Sequence, residues 1–184
     1  MPTLGRHPRT HPIVAFYRDA APDDRNRTLA EILTWDDHRL ETVHDFIQWL
    51  FPLPEPSGAN PSAPTLDQAT IVDFHTTPEM QQRLRQSFDR MMRFYGFAWT
   101  SSATPGPDPS LIRAQDFQAR AENWLYPMNH NHLRLTRILR STLLLRLESE
   151  SKALFQALNA LYREYPNRIP ARTHAYWSNA AQTS

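Results

Sequence analysis

Apolar residues recur at helical intervals along most of the chain. In residues 36–51, Leu40, Val43, Ile47, Leu50 and Phe51 gather on one face at the α-helical period. Asp36 and Asp37 open this segment, where negative charge suits a helix dipole, and Pro52 closes it. The spacing therefore predicts one helix over 36–51. A second is better signposted. Thr77-Pro78-Glu79 supplies an N-cap, a proline in the first turn and an early acid. Met80, Leu84, Phe88, Met91 and Tyr95 follow on one face, and Gly96 stands where a left-handed C-terminal residue belongs.

Other helices are expected over 28–33, from Thr65 to about Phe74 (Thr65 and Gln68 form a capping-box pattern), over 113–125, 129–147 and 151–165, and over a short terminal stretch, 173–180. The patch Ile13-Val14-Ala15-Phe16-Tyr17 is too isolated for a sheet and is expected to pack on the core. No segment sustains the alternation of a strand. The expected fold is all-α: a single compact, bundle-like domain of six to eight helices over residues 13–184, behind a flexible, proline-broken arm over 1–12. Residues 52–64 and 100–110 read as proline-rich loops, the first stiff and extended.

Composition narrows the function classes. The 184 residues carry 20 basic and 19 acidic groups, a formal net charge of +1, which argues against a main nucleic-acid role. Cysteine is absent, which removes disulfides, thiolate metal sites and thiol nucleophiles. Only four glycines are present, too few for phosphate-cradling loops to be expected. Lys152 is the sole lysine, so cationic chemistry falls to arginine throughout. No apolar run approaches the roughly 20 residues that span a bilayer, and no secretory signal opens the chain. A cytoplasmic protein without a transmembrane segment is the expectation.

Two polar stripes carry the candidate chemistry. On a helix, Asp37, Glu41, His44 and Gln48 share one face, and so do His130, Arg134, Arg137 and Ser141. The first stripe is acidic and the second basic. They are expected either to pair across a helix–helix seam, with Asp37 and Glu41 bound to Arg134 and Arg137, or to face water. The sharper alternative is a shared pocket, in which His44 and His130 supply proton or hydrogen-bond chemistry and the arginines grip a carboxylate or phosphate. Glu41-x-x-His44 has half of a di-iron pattern, but no second copy exists. His130 and His132 point about 200° apart on a helix, which disfavours joint metal ligation. No metal site and no cofactor is expected.

Two blocks in which these stripes fall carry a family resemblance. Trp35-Asp36-Asp37, then Leu40-Glu41-x-x-His44-Asp45-Phe46-Ile47-Gln48-Trp49-Leu50-Phe51-Pro52-Leu53, with Ser57, Asn60 and Ala63 in the following loop, closely resembles the signature of the opioid growth factor receptor conserved domain. His130-Asn131-x-Leu133-Arg134-Leu135-Thr136-Arg137-Ile138-Leu139 is similar to its second motif, with His132 standing where an aromatic residue is common. Phe16-Tyr17, Met91-Met92-x-Phe94-Tyr95-Gly96 and Asn123-Trp124 add weaker support. The resemblance covers roughly residues 13–165. It implies a receptor-like protein: the animal receptor binds methionine enkephalin, restrains cell proliferation and associates with the nuclear envelope. It implies no catalytic residues.

The expected function is a non-enzymatic module that binds a peptide or small anionic ligand between the two motif helices. The candidate ligand-binding set is Glu41, His44, Gln48, Trp49, Asn60, His130, Asn131, Arg134 and Arg137. Arg134 and Arg137 would hold a carboxylate, and Trp49 or Phe51 would add apolar contact. The alternatives are an enzyme using a histidine as general base, and a scaffold whose loops bind protein partners.

Overall fold

The structure, a computed structural model, describes residues 10–100 and 110–182. Within them the chain forms ten helices and one antiparallel pair of three-residue strands, a mostly all-α domain. The helices are α1 (Pro12–Tyr17), α2 (Leu29–Leu33), α3 (Asp37–Thr42), α4 (Ile47–Leu50), α5 (Gln68–Thr76), α6 (Pro78–Tyr95), α7 (Phe117–Ala121), α8 (Asn131–Leu144), α9 (Glu148–Glu164) and α10 (Ala171–Ala180). Strands β1 (Phe97–Trp99) and β2 (Leu111–Arg113) lie between α6 and α7.

Helix α6 is the central element. Met80, Leu84, Phe88, Met91 and Tyr95 are fully buried along one side, each contributing about 1.5–3 kcal/mol of transfer free energy. Helices α1, α2, α5 and α7 pack around it, while α8 lies against α9 and α10. An aromatic cluster of Tyr95, Phe97, Phe117 and Trp124 fills the space where α6 meets the strand pair and α7. Gly96 ends α6 with φ 84°, and a Cβ there would lie 3.0 Å from the Phe117 Cα. Only glycine meets both conditions without strain.

Several elements differ from the sequence reading. The apolar patch at 13–17 becomes α1, opened by Pro12 in its first turn and by the His11 ring, which accepts the Ile13 N–H. Of the expected N-terminal arm, residues 1–9 lie outside the described residues. Helix α5 is capped by Asp67 rather than Thr65, because the Asp67 carboxylate accepts the Thr70 N–H. The helix expected over 113–125 is reduced to α7, because Leu111–Arg113 pair instead with Phe97–Trp99. Residues 101–109 of the second proline-rich loop lie outside the described residues.

The largest difference falls at 36–51. Two short helices replace one, and Val43 between them is extended at φ −90°, ψ 131°. Asp45 is drawn into ion pairs with Arg25 and Arg27. The carbonyls of Leu40 and Val43, freed from a helical ladder, are taken by an arginine 94 and 91 residues further along the chain.

Candidate functional site

Helix α8 faces the split segment and binds it largely through main-chain carbonyls. Arg134 is buried, at 5 % exposure. Its Nη1 donates to Leu40 O at 2.9 Å and Asn131 Oδ1 at 3.2 Å. Its Nη2 donates to Val43 O at 2.7 Å and His44 Nδ1 at 3.3 Å. One turn on, Arg137 Nη1 donates to Phe51 O at 3.0 Å, and after another turn Ser141 Oγ donates to Pro52 O at 2.9 Å. A cation at the carboxyl end of α3 also meets the negative end of its peptide dipoles.

Asn131 is fully buried and ties this seam to the core. Its Nδ2 donates to Glu41 Oε2 at 2.9 Å, and its Oδ1 accepts from Tyr95 Oη at 3.3 Å and from Arg134. Burial pushes the Tyr95 hydroxyl well above the usual phenol value, so it stays protonated and donates. The turn before α8 is set by Asn129, whose Oδ1 accepts the Asn131 N–H at 2.7 Å while its Nδ2 holds Asn123 O at 3.0 Å.

The two histidines of the stripes do meet. The His44 and His130 rings stand edge to face with centroids 4.8 Å apart. Because His44 Nδ1 accepts from Arg134, its proton sits on Nε2. His130 Nε2 lies 3.4 Å from Glu41 Oε1. Burial, and then the Arg134 charge, hold His130 below the ordinary histidine value, against the pull of Glu41.

Between α8 and the 53–59 loop lies an open cleft of about 440 Å³. Ile47, Leu53 and Leu133 form its apolar surface, and His44, Gln48, Glu55, Arg134, Arg137 and Arg140 bring polar groups to it. The loop wall is pinned. Gln48 Nε2 donates to Ser57 Oγ at 3.2 Å, Asn60 Nδ2 to Asp45 O at 2.9 Å, and Ser62 Oγ to Asp24 Oδ2 at 2.7 Å. Arg140 forms an ion pair with Glu55 across the mouth. Arg137 spends Nη1 on Phe51 O, and among the described residues its Nε and Nη2 have no partner. Burial holds its guanidinium below the usual arginine value, but an arginine this far from neutrality stays charged.

Of the expected ligand-binding residues, His44, Gln48, His130, Arg134 and Arg137 come together at this cleft. Glu41 and Asn131 lie beside it in the seam. Asn60 is buried in the loop support. Trp49 is buried against Phe16, with its Nε1 donating to Asp24 Oδ1 at 3.0 Å, and lies outside the cleft. Neither acid of the first stripe bonds directly to an arginine of the second. Asp37 pairs instead with Arg90 and Arg120. The two residues at the cleft mouth that the stripe analysis missed are Glu55 and Arg140. Arg140 lies three residues beyond Arg137 on α8, but no sequence signal pairs it with a loop glutamate.

No helix among the described residues is long and apolar enough to cross a membrane. Among the same residues no group of three or more His, Asp or Glu is placed to hold a metal ion.

Fold and site together define a mostly helical domain in which one helix is stitched to a distant irregular segment beside an arginine-lined cleft. The chain belongs to the opioid growth factor receptor family: residues 10–182 match the opioid growth factor receptor (OGFr) conserved region. It is similar to the opioid growth factor receptor of Rattus norvegicus, 38 % identical over 132 residues, which are 70 % of this chain and 22 % of that protein. The Homo sapiens receptor is 38 % identical over 134 residues, 71 % of this chain and 19 % of the receptor. The opioid growth factor receptor-like protein 1 of Xenopus tropicalis is 37 % identical over 123 residues, 65 % of this chain and 22 % of the relative. The chain thus matches only about a fifth of the length of these curated relatives. No solved structure matches it.

Proposed function

We propose that this chain is a non-enzymatic binding domain whose α8–loop cleft takes a peptide or small anionic ligand by its carboxylate. Arg137 carries the reading. It is a cationic group on a rigid helix, with Nη1 bound to Phe51 O and two donor nitrogens, Nε and Nη2, left without protein partners among the described residues beside a cleft. A carboxylate accepts two parallel N–H bonds from an arginine edge of this kind. Ile47, Leu53 and Leu133 offer apolar contact to the rest of such a ligand. The names of the relatives, receptors for an opioid growth factor, are consistent with a peptide ligand. Arg134 is assigned a supporting role, since its donors serve backbone carbonyls, Asn131 and His44.

Calorimetric titration with methionine enkephalin, with its C-terminally amidated form and with a scrambled peptide tests this. Saturable binding of the free acid, weakened by about tenfold or more in the amide and abolished in Arg137→Ala, is the expected result. Equal binding of acid and amide, or no binding by any of the three, overturns the reading for this peptide class.

The Glu41–His130–His44 array favours a second reading, an enzyme with His130 as general base. A hydrolytic or isomerising activity lost in His130→Gln, with the Arg137 variant still active, would decide for it.

A further inference from the structure

Resting on the reading of the cleft as an anion site, we propose that Glu55 sets the charge class of its ligand: the cleft takes a monocarboxylate and turns away phosphate dianions. Three guanidiniums border the cleft. Arg134 is already committed, and Glu41 offsets its charge through Asn131. Arg140, on α8, is paired with Glu55 from the opposite wall. Both partners are half-exposed, with side-chain exposures of 48 % and 43 %, so the pair sits at the mouth and not in the core. Glu55 is therefore a resident anion of the site. Arg134 and Arg137 have no carboxylate bound to them among the described residues, but both terminal nitrogens of Arg134 are engaged, which leaves Arg137 as the guanidinium open to a ligand.

A carboxylate ligand complements that single charge. A phosphate monoester brings roughly −1.5 to −2 charges near pH 7, and its excess negative charge would face the Glu55 carboxylate.

Gln48 gives an independent indication. It lines the cleft and is 96 % buried, at 4 % exposure. Its Nε2 is taken by Ser57, while its Oε1 has no hydrogen-bond partner among the described residues. A buried oxygen acceptor favours a ligand with a donor and repels one with only oxygens. A carboxylate with an adjacent N–H, as in an acylated amino acid or a peptide C-terminus, pairs with Arg137 and brings a donor to the Gln48 side of the cleft. A phosphate dianion brings only acceptors there.

Titration of the full chain with hippurate and with phenyl phosphate at pH 7.5 tests the assignment, since both carry a phenyl group and differ in the anion. The wild type is expected to bind hippurate at least about tenfold more tightly. Glu55→Gln is expected to raise phenyl phosphate affinity about tenfold while changing that of hippurate by less than about threefold. Arg140→Gln, which leaves Glu55 unpaired, is expected to weaken both. Unchanged thermal melting establishes that the variants are folded. An unchanged hippurate-to-phosphate ratio in Glu55→Gln, or a wild type that prefers phosphate, overturns the role of Glu55 and leaves the anion site standing. Absence of saturable binding for both probes in every form overturns the anion site, and the inference with it.

Discussion

Arg134 Nη2 lies 2.7 Å from the carbonyl oxygen of Val43, 91 residues earlier in the chain. That bond, with its companion to Leu40, takes up carbonyls released where α3 ends. Arg134→Ala would leave the Leu40 and Val43 carbonyls without this donor, while Asn131 Oδ1 keeps the Tyr95 hydroxyl. Each buried acceptor left unpaired costs about 1–3 kcal/mol. A loss of roughly 3 kcal/mol or more is expected in urea denaturation, and Arg134→Lys should recover little of it, because an ammonium does not reproduce the two-pronged geometry.

Arg137 is expected to behave differently. It contributes a single bond to Phe51 O, so Arg137→Ala should lower stability by only about 1 kcal/mol while abolishing carboxylate binding. Denaturation and titration of the same protein sample separate the two effects. A loss as large as that of the Arg134 variant would make Arg137 a seam residue.

His132 is buried at 4 % exposure against Trp177, with ring centroids 5.5 Å apart, and among the described residues neither ring nitrogen makes a well-formed hydrogen bond, although the Trp124 main chain acts on the ring. His132→Phe keeps the edge-to-face contact and removes two desolvated polar atoms. It is expected to stabilise the fold by about 1–2 kcal/mol, measured as a raised denaturation midpoint. The Trp177 indole, which donates to His132 O at 3.1 Å, is unaffected because that bond goes to the main chain.

The same histidine makes stability depend on pH. Burial holds His132 and His130 below the ordinary histidine value, so the unfolded chain takes up protons first as pH falls. Stability is then fully present above about pH 6.5, the unfolded value, and declines as pH drops through the folded values. Denaturation midpoints between pH 8 and pH 5 should fall for the wild type and fall less steeply for His132→Phe.

Gly96→Ala should cost about 2 kcal/mol, combining the penalty of a left-handed residue with a methyl group pressed on Phe117. The expected signature is a lower melting temperature with ligand affinity retained, since Gly96 does not line the cleft.

Elements governed by local chemistry were legible in the sequence. Helix α6 begins at the Pro78 signal and ends at Gly96 as expected, although Thr77 caps it without a side-chain bond. Helices α8 and α9 also follow their apolar periods. The strand pair was invisible because three residues a side are too few to show alternation. The split at Val43 was invisible for another reason. The apolar pattern of 36–51 is helical throughout, and the competing donor, Arg134, lies far away in sequence. Of the stripe residues, His44, Gln48, His130, Arg134 and Arg137 lie at one cleft. The stripes allowed carboxylates, water or a ligand as partners of the arginines, and Arg134 and Arg137 bond mainly to main-chain oxygens that no side-chain pattern reports.

Helix α8 clasps carbonyls that lie between 86 and 94 residues upstream of its own arginines and serine. On a ribosome, the segment around 40–52 therefore emerges long before its donors exist. Until residues 131–141 follow, its freed carbonyls are left to water and the cleft has one wall. Neither signature block builds the site alone. A truncated product that stops short of α8 would retain much of the apolar sequence of α6 yet lack the donors that close the seam, which makes incomplete synthesis products of this domain candidates for capture by chaperones.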